Sequence, residues 1–127
     1  MSEKKTILVV DDESDMVKYL TALFQDNGYE TITAFDGVKG FDMAKSEKPD
    51  LITLDITMPE QSGVRTYRMY KDDPEVKAIP VIIVTAIGDT MHSFLKKLSG
   101  FSKPEGFMSK PIDPDELIKM VSGLLSD

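Results

Sequence analysis

The chain has 127 residues and a formal net charge of −7. That length suits one domain, predicted to span residues 1–127, with enough chain to bury its own core. The absence of cysteine excludes disulfides, thiolate zinc sites and cysteine nucleophiles. The negative charge disfavours binding to nucleic acid or to an anionic membrane, because it repels their phosphates. The first apolar stretch, Ile7 to Val10, is too short for an export signal or a membrane span, which favours a cytoplasmic location.

Short runs of apolar and β-branched residues predict five strands along the chain. They are Thr6 to Val10, Glu30 to Ala34, Leu51 to Asp55, Val81 to Thr85, and Gly106 to Ser109. The first and fourth runs do not alternate with polar residues, so we expect them to be buried on both faces of a sheet.

Apolar residues at helical spacing predict a helix after each strand. The predicted helices contain Met16 to Phe24, Val38 to Ala44, a stretch from near Gly63 to before Pro74, Met91 to Leu98, and a segment that begins at Pro114. Gly40 weakens the second helix by about 1 kcal/mol relative to alanine. Asp113 is the predicted N-cap of the last helix, and Glu116 completes a capping box. Five strands alternating with five helices predict a doubly wound α/β fold, a parallel sheet covered on both faces.

Polar residues stand where four of the predicted strands end. Asp11 and Asp12 follow the first strand, Asp55 ends the third, Thr85 ends the fourth and Lys110 follows the fifth. Ligands of open parallel sheets bind at the carboxyl ends of the strands. Three converging carboxylates would repel one another, and Mg²⁺ relieves this repulsion while leaving positions for phosphoryl oxygens. A lysine ammonium and a threonine hydroxyl suit phosphoryl oxygens as well.

These residues lie in motifs that resemble the receiver domains of bacterial two-component response regulators, especially the stand-alone, chemotaxis-type members. The motifs are Ile7-Leu8-Val9-Val10-Asp11-Asp12, Pro49-Asp50-Leu51-Ile52-Thr53-Leu54-Asp55 with Met58-Pro59 and Gly63, Val84-Thr85-Ala86, and Ser109-Lys110-Pro111-Ile112. The resemblance covers the whole chain and implies the flavodoxin-like strand order 2-1-3-4-5. It also implies a cis peptide bond between Lys110 and Pro111.

The resemblance further implies a phosphorylation switch. Asp55 would accept a phosphoryl group from a sensor histidine kinase or a histidine phosphotransfer protein. Asp11, Asp12, Asp55 and the carbonyl of Thr57 would hold Mg²⁺. Thr85 and the aromatic Phe107 would then move, changing the surface formed by the fourth helix, fifth strand and fifth helix. Such a chain would catalyse only its own phosphorylation and dephosphorylation, and without an output domain it would signal through a downstream protein, as a monomer or as a dimer formed on phosphorylation.

Several features depart from the family pattern or allow a second interpretation. Lys103-Pro104 competes with Lys110-Pro111, but only the latter follows a strand-like segment and precedes a capped helix. The loop 99–105 is longer than in the family, so it could contact a partner or simply pack against the domain. Tyr67 and Tyr70 stand where aliphatic residues are more usual, which packing explains. Each acid alone would equally suit a turn or a helix N-terminus, but their joint placement favours a site.

Three other classes of protein share parts of this pattern. A flavodoxin-like nucleotide-binding protein would need a phosphate loop rich in small residues where this chain has Asp11-Asp12-Glu13. A phosphatase with an aspartyl nucleophile usually has a second aspartate where this chain has Thr57, and it needs substrate-enclosing insertions. A degenerate receiver used as a scaffold would not need the intact set of acids, threonine and lysine.

Overall fold

The structure, a computed structural model, describes residues 4–56, 60–85 and 103–126. The strands are β1 (Thr6–Val10), β2 (Glu30–Ala34), β3 (Leu51–Asp55), β4 (Val81–Thr85) and β5 (Gly106–Ser109). All neighbouring pairs are parallel, and the order across the sheet is β2-β1-β3-β4-β5. The predicted fold class, strand bounds and strand order are therefore confirmed.

The sheet separates two apolar clusters, because successive side chains of a strand point to opposite faces. One face contributes Leu8, Val10, Ile52, Leu54 and Ile83, and the other contributes Ile7, Val9, Leu51, Ile82 and Val84. All five residues of β3 and of β4 are buried, as expected for central strands of a parallel sheet. The rigid central strands fix the position of the residues at their carboxyl ends.

Four helices cover the sheet in the described part of the chain. They are α1 (Ser14–Asp26), α2 (Gly37–Glu47), α3 (Glu60–Asp72) and the C-terminal helix (Pro114–Leu125). The predicted helix from Met91 to Leu98 lies outside the described residues. No helix among the described residues is both long and apolar enough to cross a bilayer.

The helix predicted to start near Gly63 is α3, which begins three residues earlier, at Glu60, so that Gly63 lies inside it. A glycine lowers helix stability by only about 1 kcal/mol, so it does not by itself set a boundary. The predicted cap of the C-terminal helix is confirmed, because the Asp113 side chain accepts a hydrogen bond from the Glu116 backbone N–H at 3.1 Å.

The buried face of α2 matches the predicted one at Ala44 but not at Val38. Val38, expected to face the core, is 65% exposed, and the buried residues are Gly37, Gly40 and Ala44. The small face allows α2 to approach the sheet closely, since a Cβ on Gly40 would lie 2.7 Å from a methyl group of Val10. Tyr70, fully buried on α3, donates a 2.9 Å hydrogen bond to the Gly37 carbonyl. This confirms packing as the role of Tyr70.

An ion pair with one buried partner connects elements at the opposite edge of the sheet, where β4 and β5 begin. The Lys71 side chain is 3% exposed and its ammonium lies 2.9 Å from Glu105 Oε1. Lys71 also donates to the carbonyls of Lys77 (3.3 Å) and Ile79 (3.2 Å). Glu105 in turn accepts a 2.7 Å hydrogen bond from the Val81 backbone N–H. The pair thereby connects α3 to the first residues of two strands.

Candidate functional site

The residues predicted at the strand ends meet at one edge of the sheet. Four neighbouring strands, β1, β3, β4 and β5, deliver them. Hydrogen bonds continue the ladder beyond the strand ends, from the Asp11 N–H to the Ala34 carbonyl (3.1 Å) and from the Lys110 N–H to the Thr85 carbonyl (2.7 Å). The backbone therefore holds the side chains of this edge in fixed positions.

Asp11, Asp12 and Asp55 form an acidic cluster at this edge. One carboxylate oxygen of each lies within 4.8 Å of the other two. Asp11 and Asp55 are 3% and 2% exposed, whereas Asp12 is exposed. Asp11 Oδ1 accepts a 2.9 Å hydrogen bond from the Glu13 backbone N–H, but its buried Oδ2 receives none from the described residues.

Burial and a neighbouring negative charge raise the pKa of Asp11 in this cluster. Burial is the largest influence and raises the pKa of Asp11 from 3.8 to about 6, with a further contribution from the negative charge of Asp55. The raised pKa and the oxygen without a hydrogen bond show that the described residues alone do not fully stabilise the ionised Asp11 carboxylate. The donor set of three carboxylates is the one that a hard divalent cation such as Mg²⁺ takes, so the residues present fit such an ion.

Lys110 reaches the cluster from the end of β5. Its Nζ lies 3.1 Å from Glu13 Oε1, 3.4 Å from Asp55 Oδ2 and 3.6 Å from Asp11 Oδ2. Partial burial alone would lower the pKa of Lys110, but the hydrogen bond to Glu13 and the charges of Asp55 and Asp11 raise it above its usual value. Lys110 therefore keeps its positive charge beside Asp55. The preference for Lys110 over the exposed Lys103 agrees with this geometry.

Thr85 lies on β4, next to the strand that ends at Asp55, and Phe107 lies on β5, one strand further along the sheet. Thr85 is fully buried, and its hydroxyl has no hydrogen-bond partner among the described residues. Phe107, half-buried on β5, stands beside Ile83 of β4 and packs against the core. The peptide bond between Lys110 and Pro111 is cis, as the resemblance implied.

Thr57 lies outside the described residues, as do residues 99–102 of the long loop. The structure thus brings together Asp11, Asp12, Asp55, Thr85 and Lys110 and leaves the predicted Thr57 ligand untested.

Sequence reasoning missed one neighbour of Lys110. In the sequence Glu13 stands only as the last acid of the run Asp11-Asp12-Glu13, yet its carboxylate lies nearer to the Lys110 ammonium than those of Asp11 and Asp55. The sequence contains one indication of this contact, since Glu13 follows Asp12 at the same edge of the sheet to which the end of β5 brings Lys110.

Taken together, fold and site define a doubly wound α/β domain with an acidic cluster and Lys110 at the carboxyl edge of its sheet. The model of the response regulator receiver domain family matches residues 7–122. The chain belongs to this family, whose members act in phosphorylation-dependent signalling with histidine kinases or phosphotransfer proteins.

Individual relatives agree with this assignment. The polar-differentiation response regulator DivK of Brucella anthropi is 35% identical, over 97% of this chain and 98% of its own length. The Vibrio cholerae chemotaxis protein CheY4 is 26% identical, with a TM-score of 0.81 over 97% of this chain and 100% of that one. The receiver domain of a signal transduction histidine kinase from Syntrophus aciditrophicus is 29% identical, with a TM-score of 0.82 over 95% and 89% of the two chains.

Proposed function

We propose that this chain is a switch that is turned on when Asp55 accepts a phosphoryl group from a phosphohistidine. The donor would be a sensor histidine kinase or a histidine phosphotransfer protein. The observation that carries the proposal is the position of Asp55, a buried carboxylate 3.4 Å from the Lys110 ammonium and within 4.8 Å of Asp11 and Asp12. A carboxylate in such a setting is suited to form an acyl phosphate.

Asp11, Asp12 and Asp55 would hold Mg²⁺, together with the carbonyl of Thr57. When bound, the ion neutralises negative charge on the carboxylates and on phosphoryl oxygens. The unsatisfied, buried Asp11 Oδ2 supports this assignment, because an oxygen of that kind otherwise raises the free energy of the folded state.

The transfer itself requires little covalent chemistry from the protein. A carboxylate oxygen of Asp55 forms a bond to phosphorus while the bond between phosphorus and the donor's histidine nitrogen breaks, and the released imidazole takes up a proton. Lys110 stabilises charge on the transferred oxygens, and the unpartnered hydroxyl of Thr85 is free to donate to one of them. Hydrolysis later returns inorganic phosphate and the Asp55 carboxylate, so the state is temporary.

The signal would leave through a protein contact. Thr85 and Phe107 lie on the adjacent strands β4 and β5, and movement of the Thr85 hydroxyl toward a phosphoryl group would change the packing beside the Phe107 ring. The affected surface would comprise β5 and the C-terminal helix, together with the predicted fourth helix, which lies outside the described residues. A downstream protein that binds this surface would distinguish the two states.

The test is incubation with a small phosphodonor, with and without Mg²⁺, followed by intact mass measurement and peptide mapping. We expect one phosphoryl adduct, located on Asp55, that requires Mg²⁺ and disappears in Asp55→Asn. Asp26→Asn, which changes an exposed aspartate at the end of α1, is the matched control and should be phosphorylated normally.

Two outcomes would contradict the proposal. An adduct that persists in Asp55→Asn would place the acceptor elsewhere. Release of many phosphates per chain from a small ester, at a rate above that of adduct hydrolysis, would instead indicate a phosphatase with an aspartyl nucleophile.

A further inference from the structure

Among the described residues, three carboxylates lie near the Lys110 ammonium, and they differ in exposure to solvent. Asp11 and Asp55 have side chains that are 1% and 2% exposed, whereas the Glu13 side chain is 63% exposed. The most exposed of the three nevertheless lies nearest, at 3.1 Å, compared with 3.4 Å for Asp55 and 3.6 Å for Asp11. Lys110 is thus held in part by an acid outside the predicted phosphorylation and metal-binding set.

The Glu13 side chain is not explained by the stability of α1. Glu13 is the N-cap of that helix, but its side chain makes no capping hydrogen bond. Its structural contributions come from its backbone, whose N–H donates to Asp11 Oδ1 and whose carbonyl accepts from the Val17 N–H at 3.0 Å. A change confined to the side chain therefore leaves the helix start and the orientation of Asp11 in place.

We propose that Glu13 is a positioning residue that competes with the incoming phosphoryl group for Lys110. This inference rests on the proposed phosphorylation of Asp55. Before transfer, Glu13 draws the ammonium toward the rim of the site. During transfer the same ammonium has to face the phosphoryl oxygens on Asp55, so the contact with Glu13 weakens and raises the barrier. Glu13 thereby limits the rate of phosphorylation of this chain.

The size of the effect follows from the exposure of Glu13. An ion pair with one exposed partner is weakened by solvent, and its loss corresponds to about a two- to fivefold change in an equilibrium or a rate. We therefore expect Glu13→Gln to raise kcat/KM for phosphorylation by a small anionic phosphodonor about two- to fivefold.

Two further variants separate competition for Lys110 from simple repulsion of the phosphodonor. Glu13→Asp keeps the negative charge but is one methylene shorter and loses the contact, so competition predicts a rate near that of Glu13→Gln. Asp15→Asn removes an exposed charge from the first turn of the same helix without a contact to Lys110, so competition predicts the wild-type rate. The opposite pattern, a wild-type rate for Glu13→Asp and a faster Asp15→Asn, would overturn the inference in favour of repulsion.

A second measurement needs neither phosphodonor nor metal. The NMR resonances of the Lys110 side chain, recorded in metal-free buffer, should shift in Glu13→Gln and in Glu13→Asp and should stay unchanged in Asp15→Asn. Unchanged Lys110 resonances in both Glu13 variants would refute the inference whatever the kinetics show. If the wild-type chain forms no adduct on Asp55, the proposed function fails, and the competition inferred from it fails as well. If Asp55 is phosphorylated at the same rate with and without the Glu13 carboxylate, only the competition is refuted.

Discussion

In the ion pair between Lys71 and Glu105 the lysine is buried and the glutamate is partly exposed, so the two single deletions should destabilise the chain by different amounts. Glu105→Ala leaves the Lys71 ammonium, whose side chain is 3% exposed, with two carbonyl acceptors among the described residues, and it removes the acceptor of the Val81 N–H. Loss of one partner of a buried pair destabilises a protein by roughly 3–5 kcal/mol. The Glu105 side chain is 37% exposed, so water partly compensates and we expect the lower limit, about 3 kcal/mol.

The reverse deletion should be much milder. Lys71→Met fills the same space without a charge, and the remaining Glu105 carboxylate still reaches water and still accepts from Val81. We expect a loss of about 1 kcal/mol, and we expect the double variant to lose less than the two single variants added together.

Urea unfolding followed by circular dichroism measures both values. With a slope of about 2 kcal/mol per M, Glu105→Ala should lower the midpoint by about 1.5 M and Lys71→Met by about 0.5 M. Equal losses for the two variants, or strictly additive losses in the double variant, would refute the argument from unequal burial.

Three other predictions concern stability and use the same assay. The pKa of Asp11 is raised from 3.8 to about 6, so ionisation of this carboxyl destabilises the folded state. Without divalent cations, the free energy of unfolding should therefore fall by at most about 3 kcal/mol from pH 4 to pH 7. Asp11→Asn should abolish this fall. Gly40→Ala should lower the free energy of unfolding by about 1–3 kcal/mol, because the added Cβ would meet Val10. Gly123→Ala has open space in the C-terminal helix and should raise the free energy of unfolding by up to about 1 kcal/mol. Equal effects of the two variants would contradict the role of close packing at Gly40. Thr53→Val should stabilise the chain by about 1 kcal/mol, because the buried Thr53 hydroxyl has no partner among the described residues, and a loss of stability would reveal a partner such as a buried water.

The strands could be predicted from sequence because each is a short run of apolar, β-branched residues between polar turns. The strand-end residues could also be predicted, since a parallel sheet brings carboxyl ends together whatever the loops do. Asp55 and Lys110 are 55 positions apart, yet their contact follows from the fold alone.

What could not be predicted depends on how closely elements approach one another. Val38 has the spacing of a core residue, but the tight fit of Gly40 against β1 turns α2 onto its small face. Lys71 would be assigned to the surface from its type, and only the position of Glu105 makes its burial tolerable. The reach of Glu13 to Lys110 likewise depends on side-chain distances that no local pattern encodes.

The attachment of β5 at both of its ends has a mechanical consequence. Glu105, just before the strand, is fastened to α3 and β4, and the Lys110 N–H, just after it, is fastened to the Thr85 carbonyl. A strand of four residues clamped in this way cannot slide along its neighbour without breaking one of the two attachments. Phe107 lies between these two attachments, so in the proposed switch a change at Asp55 would be transmitted by rotation of side chains on β5 while its backbone stays in place. The proposed binding surface on β5 and the C-terminal helix would then keep a constant distance from the acidic cluster in both states of the switch.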